Sequence, residues 1–128
     1  MGTFRDLVVY QKSFLFSMEI FNLIKTFPAD EKYSLCDQIK RSSRSVTACI
    51  SEAYRKRMFE SHFISKLSDA DMENSETQVW LDYALACKYI NKILYIDLLS
   101  KSEELGKMLN FMMHNPEKFN SSNLVKKK

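Results

Sequence analysis

The chain has 128 residues with two glycines, two prolines and a net charge of +3, which favours a single domain of long helices joined by short turns. It lacks an apolar run of about 18 residues, so no membrane-spanning helix is expected. Its three cysteines are widely spaced and form no Cys-x-x-Cys pair, which argues against a disulfide framework and predicts a reducing, cytoplasmic location.

The first predicted helix covers about residues 5–26, because Pro28 disfavours helix at the residue before it. At about 100° per residue, its apolar side chains form two nearly opposite stripes. One stripe contains Leu7, Tyr10, Phe14, Met18 and Phe21, and the other contains Val9, Phe16, Ile20, Leu23 and Phe27. A single stripe is enough to reach the core of a bundle. We therefore expect self-association, with the second stripe as the oligomer interface.

The second predicted helix covers about residues 31–56, with Asp30 as its N-cap and Glu31 in its first turn. Residues at helical spacing predict its core face: Leu35, Ile39, Ser42, Val46, Ile50 and Ala53. Most of its cations fall on the far side of the helix. They share that side with Ala48 and Ser51, whose small side chains leave room for a partner to approach closely.

Residues 38–57 carry six cations against one carboxylate, that of Glu52. Arginine forks match phosphate oxygens, and each phosphate contact releases counterions. The six cations are therefore the predicted nucleic-acid-binding residues: Lys40, Arg41, Arg44, Arg55, Lys56 and Arg57. Two alternatives stay open. The face is solvated or salt-bridged to the acidic start of the third helix, or it docks an acidic protein patch, as in a scaffold or adaptor.

The third and fourth predicted helices cover about residues 60–89 and 95–114, with Asn91 in the turn between them and Pro116 ending the last one. Four helices with short links predict an all-α fold, an antiparallel up-down four-helix bundle over residues 1–115. The polar and basic residues 116–128 have little to bury and are predicted to form a flexible tail.

No catalytic or metal-binding constellation is recognisable. Asp69, Glu73 and Glu76 make an acidic row, but a di-iron bundle requires Glu-x-x-His pairs, and neither His62 nor His114 has a glutamate three residues before it. Two isolated glycines do not form a phosphate-binding loop. We therefore expect no enzymatic activity, no metal and no cofactor.

Several segments in order resemble a known family. The segments are "FRDLVVYQKS", "FPADEKYSLCDQIKRSSRSV", "ISEA" and "SETQVWLDYALACKYI". Over about residues 4–113 they resemble the bacterial four-helix-bundle proteins encoded within 23S rRNA intervening sequences. That family includes the accessory variability proteins of diversity-generating retroelements. Cys49, Ser51 and Ala53 stand where the family pattern has Asn, Ala and Gly, which indicates a divergent branch.

The resemblance implies an up-down bundle assembled as a ring-like homopentamer, with no known catalytic activity. Its retroelement members bind nucleic acid and a reverse transcriptase through basic surfaces. By position, Arg41 in "QIKRS" matches the family's basic residue, Lys40 and Arg44 flank it, and Arg55 follows "ISEAY". The leading hypothesis is a cytoplasmic, non-enzymatic homo-oligomer that binds RNA or DNA backbone. A reverse transcriptase or another protein is a further possible partner.

Overall fold

The computed structural model describes residues 2–119, and over this range the chain forms four long helices. They are α1 (Val8–Leu23), α2 (Leu35–Arg55), α3 (Glu60–Ala86) and α4 (Lys92–His114). Short 3-10 turns occur at Phe4–Asp6, Ile24–Thr26, Ala29–Glu31 and Pro116–Lys118. Each helix packs on the one before it, and α1 also packs on α4. The predicted all-α, antiparallel up-down four-helix bundle is confirmed. Across residues 2–119, no helix combines the length and apolar character that a bilayer crossing requires.

The connection between α1 and α2 is held by the side chain of Glu31. Its carboxylate accepts hydrogen bonds from the Ser34 hydroxyl at 2.5 Å, the Leu35 N–H at 3.3 Å and the Tyr89 hydroxyl at 2.7 Å. The bonds from Ser34 and then Tyr89 lower the pKa of Glu31. The prediction that Asp30 caps a helix starting at residue 31 is therefore wrong. The helix begins four residues later, where the Glu31 side chain satisfies its first N–H.

The face of α1 that enters the core was assigned incorrectly from the sequence. Within the single chain, four of the five predicted interface residues are buried, and the fifth, Leu23, is partly buried against the same core. The four buried residues are Val9, Phe16, Ile20 and Phe27. These side chains are therefore core residues and are not available to a second copy of the chain.

Two serines explain why this face of α1 is the one that packs. Ser13 and Ser17 are buried on the same side as Phe16, and the Ser13 hydroxyl accepts a hydrogen bond from the Thr47 hydroxyl of α2 at 3.0 Å. Small side chains allow two helices to approach closely. Apolar spacing alone does not predict this close approach of α1 and α2, because serine is a polar residue. The outward face of α1 instead carries Phe14, Leu15 and Met18, which are 47%, 67% and 38% exposed.

The chain after α4 does not become a loose tail at residue 116. Pro116–Lys118 forms a 3-10 turn, and the Phe119 ring stacks on Phe63 of α3 with centroids 6.2 Å apart. An aromatic residue three positions after Pro116 gives this segment something to bury, so the predicted boundary is wrong for residues 116–119. The rest of the predicted tail, residues 120–128, lies outside the described residues.

The turn between α3 and α4 places Lys88 in the left-handed region, at φ 64°. The Lys88 N–H donates to the Leu85 carbonyl at 3.0 Å, and the Tyr89 N–H donates to the Ala84 carbonyl at 2.9 Å. This is the Schellman pattern, in which glycine is the usual residue at the left-handed position. Asn91 then caps α4, because its side chain accepts from the Leu94 N–H at 2.8 Å.

Replacing Lys88 with glycine is expected to raise the free energy of unfolding by about 1 kcal/mol, because glycine has no Cβ penalty in this conformation. Lys107→Gly, at an exposed position inside α4, is the matched control and is expected to lose about 1 kcal/mol. Urea unfolding followed by circular dichroism measures both. A Lys88→Gly variant that is no more stable than the parent would contradict this description of the turn.

Candidate nucleic-acid interface

The α2 helix separates a buried face from an exposed cationic face. All six residues of its predicted core stripe are buried, which confirms that prediction. They are Leu35, Ile39, Ser42, Val46, Ile50 and Ala53. The buried Ser42 hydroxyl is 2.8 Å from the Thr77 hydroxyl of α3, so its polar atom is satisfied. The orientation of α2 is thus fixed by burial on one side, which holds the opposite side toward solvent.

Arg41 differs from the other predicted cations because it is bound to α3. Its guanidinium lies 3.3 Å from a Glu73 carboxylate oxygen and also pairs with Glu76. The Trp80 indole N–H donates to the same Glu76 oxygen at 3.2 Å. Glu73, followed by Glu76, raises the pKa of the Arg41 guanidinium. For this residue the structure matches the salt-bridged alternative.

A strip along α2 consists of two exposed cations and one half-buried cation, which are Arg44, Arg55 and Lys40. Within residues 2–119, no carboxylate lies within 4 Å of any of these three cations. At about 100° per residue, positions 40, 44 and 55 fall within one narrow sector of the helix. Their charges are therefore solvated and not offset by a paired carboxylate. We call these three residues the α2 strip.

Phe21 of α1 supports the cations at this end of the bundle. The Arg44 guanidinium carbon lies 5.4 Å from the centre of the Phe21 ring, and the Lys25 ammonium lies 4.5 Å from it. Both distances are within the range of cation–π attraction. The half-buried ring therefore brings a cation of α1 and a cation of α2 to one place on the surface.

Lys56 and Arg57 lie beyond the end of α2 and not on the strip. The Arg57 guanidinium stacks 3.9 Å from the centre of the Tyr54 ring and donates to the Tyr54 carbonyl at 2.9 Å. Lys56 is the exposed C-cap residue of α2. The six predicted cations thus divide into the α2 strip, a pair in the α2–α3 turn, and Arg41 on the α3 side.

A cleft at the α1–α2 turn brings in two lysines that the sequence reasoning missed. It encloses ≈ 430 Å³ and is lined by Lys25, Lys32 and Lys40, with Phe21 and other apolar side chains. We call it the lysine cleft. Lys25 and Lys32 flank the "FPADE" turn, and their position on both sides of a predicted turn was the signal available. The two lysines belong to different elements, so the charge of a single helix does not reveal that they meet.

A second groove, also of ≈ 430 Å³, runs between α1 and α2 beside the strip. Phe14 and Met18 line its α1 side, and Arg44, Ala48 and Ser51 line its α2 side. The small side chains at 48 and 51 leave open space here, as the sequence predicted. The outward apolar row of α1 and the cationic strip of α2 therefore border one groove.

The described residues offer no cluster suited to a metal, and two of the cysteines are held mainly as thiols by burial. Within residues 2–119, no three His, Cys, Asp or Glu side chains cluster to hold an ion. Burial raises the pKa of Cys36 and that of Cys49, which disfavours the thiolate form. Cys36 instead donates to the Ile24 carbonyl at 3.7 Å.

Comparison with known proteins agrees with the segments noted in the sequence. The family model described as "23S rRNA-intervening sequence protein" matches residues 5–111. The chain is also similar to a crystal structure, at 1.70 Å resolution, of a protein with unknown function from the S23 ribosomal protein family of Bacteroides thetaiotaomicron VPI-5482. The two are 33% identical, with a TM-score of 0.76, over 84% of this chain and 96% of that chain. No curated protein sequence matches the chain.

Arg41→Gln is expected to lower the free energy of unfolding by about 1 kcal/mol, because Glu73 and Glu76 lose their common partner. Arg44→Gln, which removes the same charge from a cation without a carboxylate partner, is the control and is expected to stay within about 0.5 kcal/mol of the parent. Urea unfolding at low salt measures the difference. Equal losses for the two variants would show that Arg41 is not specifically bound to α3.

Proposed function

The chain belongs to the 23S rRNA-intervening sequence protein family, and from this premise we propose a non-enzymatic, self-associating bundle that binds RNA or DNA backbone. The α2 strip makes the phosphate contacts. Lys56 and Arg57 extend them at the α2–α3 turn, and Arg41 contributes mainly to stability. We place the protein in the bacterial cytoplasm, and its three unpaired cysteine thiols support a reducing compartment.

The observation that carries this proposal is the unequal pairing of the α2 cations. Arg41 is bound by two carboxylates, whereas the α2 strip has no carboxylate within 4 Å in the part of the chain that the structure describes. An exposed cation without a partner keeps its full charge available to a phosphate. Aromatic support beneath Arg44 reduces the side-chain entropy that such a contact costs.

Nucleic-acid binding is expected to weaken with salt. Arg44→Glu combined with Arg55→Glu should reduce the salt slope for a single strand by about 1.4 units, or about 0.7 for each lost phosphate contact. The matched control is Lys92→Glu with Lys107→Glu on α4, two exposed lysines whose replacement changes the net charge equally. Fluorescence anisotropy with labelled single-stranded RNA, repeated with DNA between about 50 and 200 mM salt, gives the slopes.

Two results would reject the proposed binding. One is no affinity for either nucleic acid at the lowest salt concentration. The other is an equal loss in the α2 and α4 variants, which would indicate that only net charge matters. If binding is absent and a protein partner is recovered from cell extract after nuclease treatment, the scaffold alternative is favoured.

Self-association is assigned to the outward face of α1, which replaces the stripe expected from the sequence. Phe14, Leu15 and Met18 form an exposed apolar row of the kind that usually marks a contact surface. Arg44 lies in the groove beside this row. A second exposed row on α3, that of Met72, Val79 and Tyr83, has the carboxylate of Glu76 within it.

The presence of two separate exposed apolar rows on one chain favours a second copy as the partner, because one row can cover the other. The α1 row of one chain meets the α3 row of the next, so that each exposed apolar surface is covered by another copy. Such a head-to-tail contact uses two different surfaces and closes into a ring when the rotation allows it. The pentamer implied by the family resemblance is one such ring.

Phe14→Glu with Met18→Glu is expected to convert the assembly to a monomer of 15.1 kDa, because two carboxylates would be buried in an apolar contact. The control is Ile93→Glu with Ile96→Glu, at two exposed isoleucines of α4, which should leave the mass unchanged. Size-exclusion chromatography with light scattering measures the mass. A parent protein that is monomeric at micromolar concentration would remove the self-association proposal.

A further inference from the structure

The lysine cleft is a recess at one end of the α2 strip, and its lining is chemically divided. Lys25, Lys32 and Lys40 are among its lining residues, and Phe21 and Pro28 belong to an apolar wall. The Lys32 ammonium lies 5.3 Å from the centre of the exposed Tyr33 ring, at the rim of the cleft. Its volume of ≈ 430 Å³ lies within the range of about 300–1,000 Å³ that is typical of small-molecule sites. The cleft is therefore large enough to receive more than a bare ion.

The charge within the lysine cleft is not balanced by the carboxylates of the same turn. Neither Asp30 nor Glu31 is among its lining residues. Glu31 is engaged by Ser34, Leu35 and Tyr89, as described for the α1–α2 connection. The recess thus has three lysines in its lining and no carboxylate, and the Glu31 side chain is hydrogen-bonded outside it.

One of the lysines is held in place without a carboxylate partner. The Lys25 ammonium lies 4.5 Å from the centre of the Phe21 ring and donates to the Asn22 side-chain oxygen at 3.4 Å. These contacts restrain the ammonium while leaving its charge unneutralised. When a ligand accepts a hydrogen bond from this ammonium, the Lys25 side chain therefore loses less conformational entropy.

Three lysines in the lining of one recess favour a doubly charged anion over a singly charged one. An internal phosphodiester carries one negative charge, whereas a terminal phosphomonoester carries about 1.5 to 2 at neutral pH. The apolar wall favours a ligand with a flat, weakly polar part beside its phosphate, because the face of a nucleobase packs against apolar side chains such as Pro28. A terminal nucleotide combines the two features.

We infer that the lysine cleft binds the phosphorylated terminal nucleotide of a nucleic-acid strand whose adjoining backbone lies along the α2 strip. Lys25 and Lys32 contact the terminal phosphate, Lys40 connects the cleft to the strip, and the base packs against the apolar wall beside Pro28. This inference deepens the proposed function and rests on it, since the strip must carry the rest of the strand.

Anisotropy titrations with four single-stranded RNAs of the same sequence test the inference. The RNAs carry a 5′-phosphate, a 3′-phosphate, both phosphates or neither. We expect the RNA that carries a phosphate at the recognised end to bind about tenfold more tightly than the RNA with hydroxyl ends. A hydrogen bond to a charged group is worth about that factor in affinity. In Lys25→Gln with Lys32→Gln this preference disappears, while the unphosphorylated RNA loses no more affinity than it does in a variant that removes two lysines elsewhere. Lys92→Gln with Lys107→Gln is the control and keeps the preference.

A titration of the parent protein with adenosine monophosphate, followed by amide resonances, supplies a readout that does not depend on strand binding. Shifts at residues 25, 32 and 40, and none at residues 92 and 107, support the inference. If all four RNAs bind equally and the nucleotide shifts nothing in the cleft, the inference is overturned while the α2 strip stands. If no RNA binds but the nucleotide shifts the cleft resonances, strand binding by the α2 strip is rejected. Binding of a phosphorylated nucleotide in the lysine cleft is then still supported.

Discussion

The close contact of α1 with α2 through Ser13 and Thr47 decides which surfaces this protein presents. Because the two hydroxyls are only 3.0 Å apart, the backbones must approach on the serine face of α1, and the side chains beside Ser13 become core. The opposite face then has no neighbour within the chain. Phe14 and Met18 point outward, and Phe21 comes to lie beside Arg44 of α2. One small-residue contact thus places an apolar row and a cationic strip on the same side of the bundle.

Adjacent cations of α2 have different roles because helix geometry turns successive positions by about 100°. Arg41 points to α3, where Glu73 and Glu76 take up its charge. Lys40, one residue earlier, points to the lysine cleft instead. The six cations of residues 38–57 therefore overstate the number of cations available to a phosphate backbone. A count restricted to α2 also omits the lysines that α1 and the turn contribute.

The four-helix fold and the buried face of α2 could be predicted from the sequence, because both depend on regular apolar spacing that one helix carries by itself. The buried face of α1 could not, since two apolar stripes compete there and serines that allow close approach decide between them. The start of α2 was missed because a side chain from the preceding turn, that of Glu31, satisfies its first N–H. The lysine cleft was missed because Lys25 and Lys32 come together only when the turn is folded.

The location of bound nucleic acid tests the assigned surface most directly. RNA containing 4-thiouridine, crosslinked to the full chain by ultraviolet light and mapped by mass spectrometry, reports which segments lie against the bases. We predict crosslinks in residues 21–44, around Phe21 and the start of the α2 strip, at a salt concentration that preserves binding. Crosslinks confined to α3 and α4 would place the nucleic acid on the opposite side of the bundle and contradict the assignment.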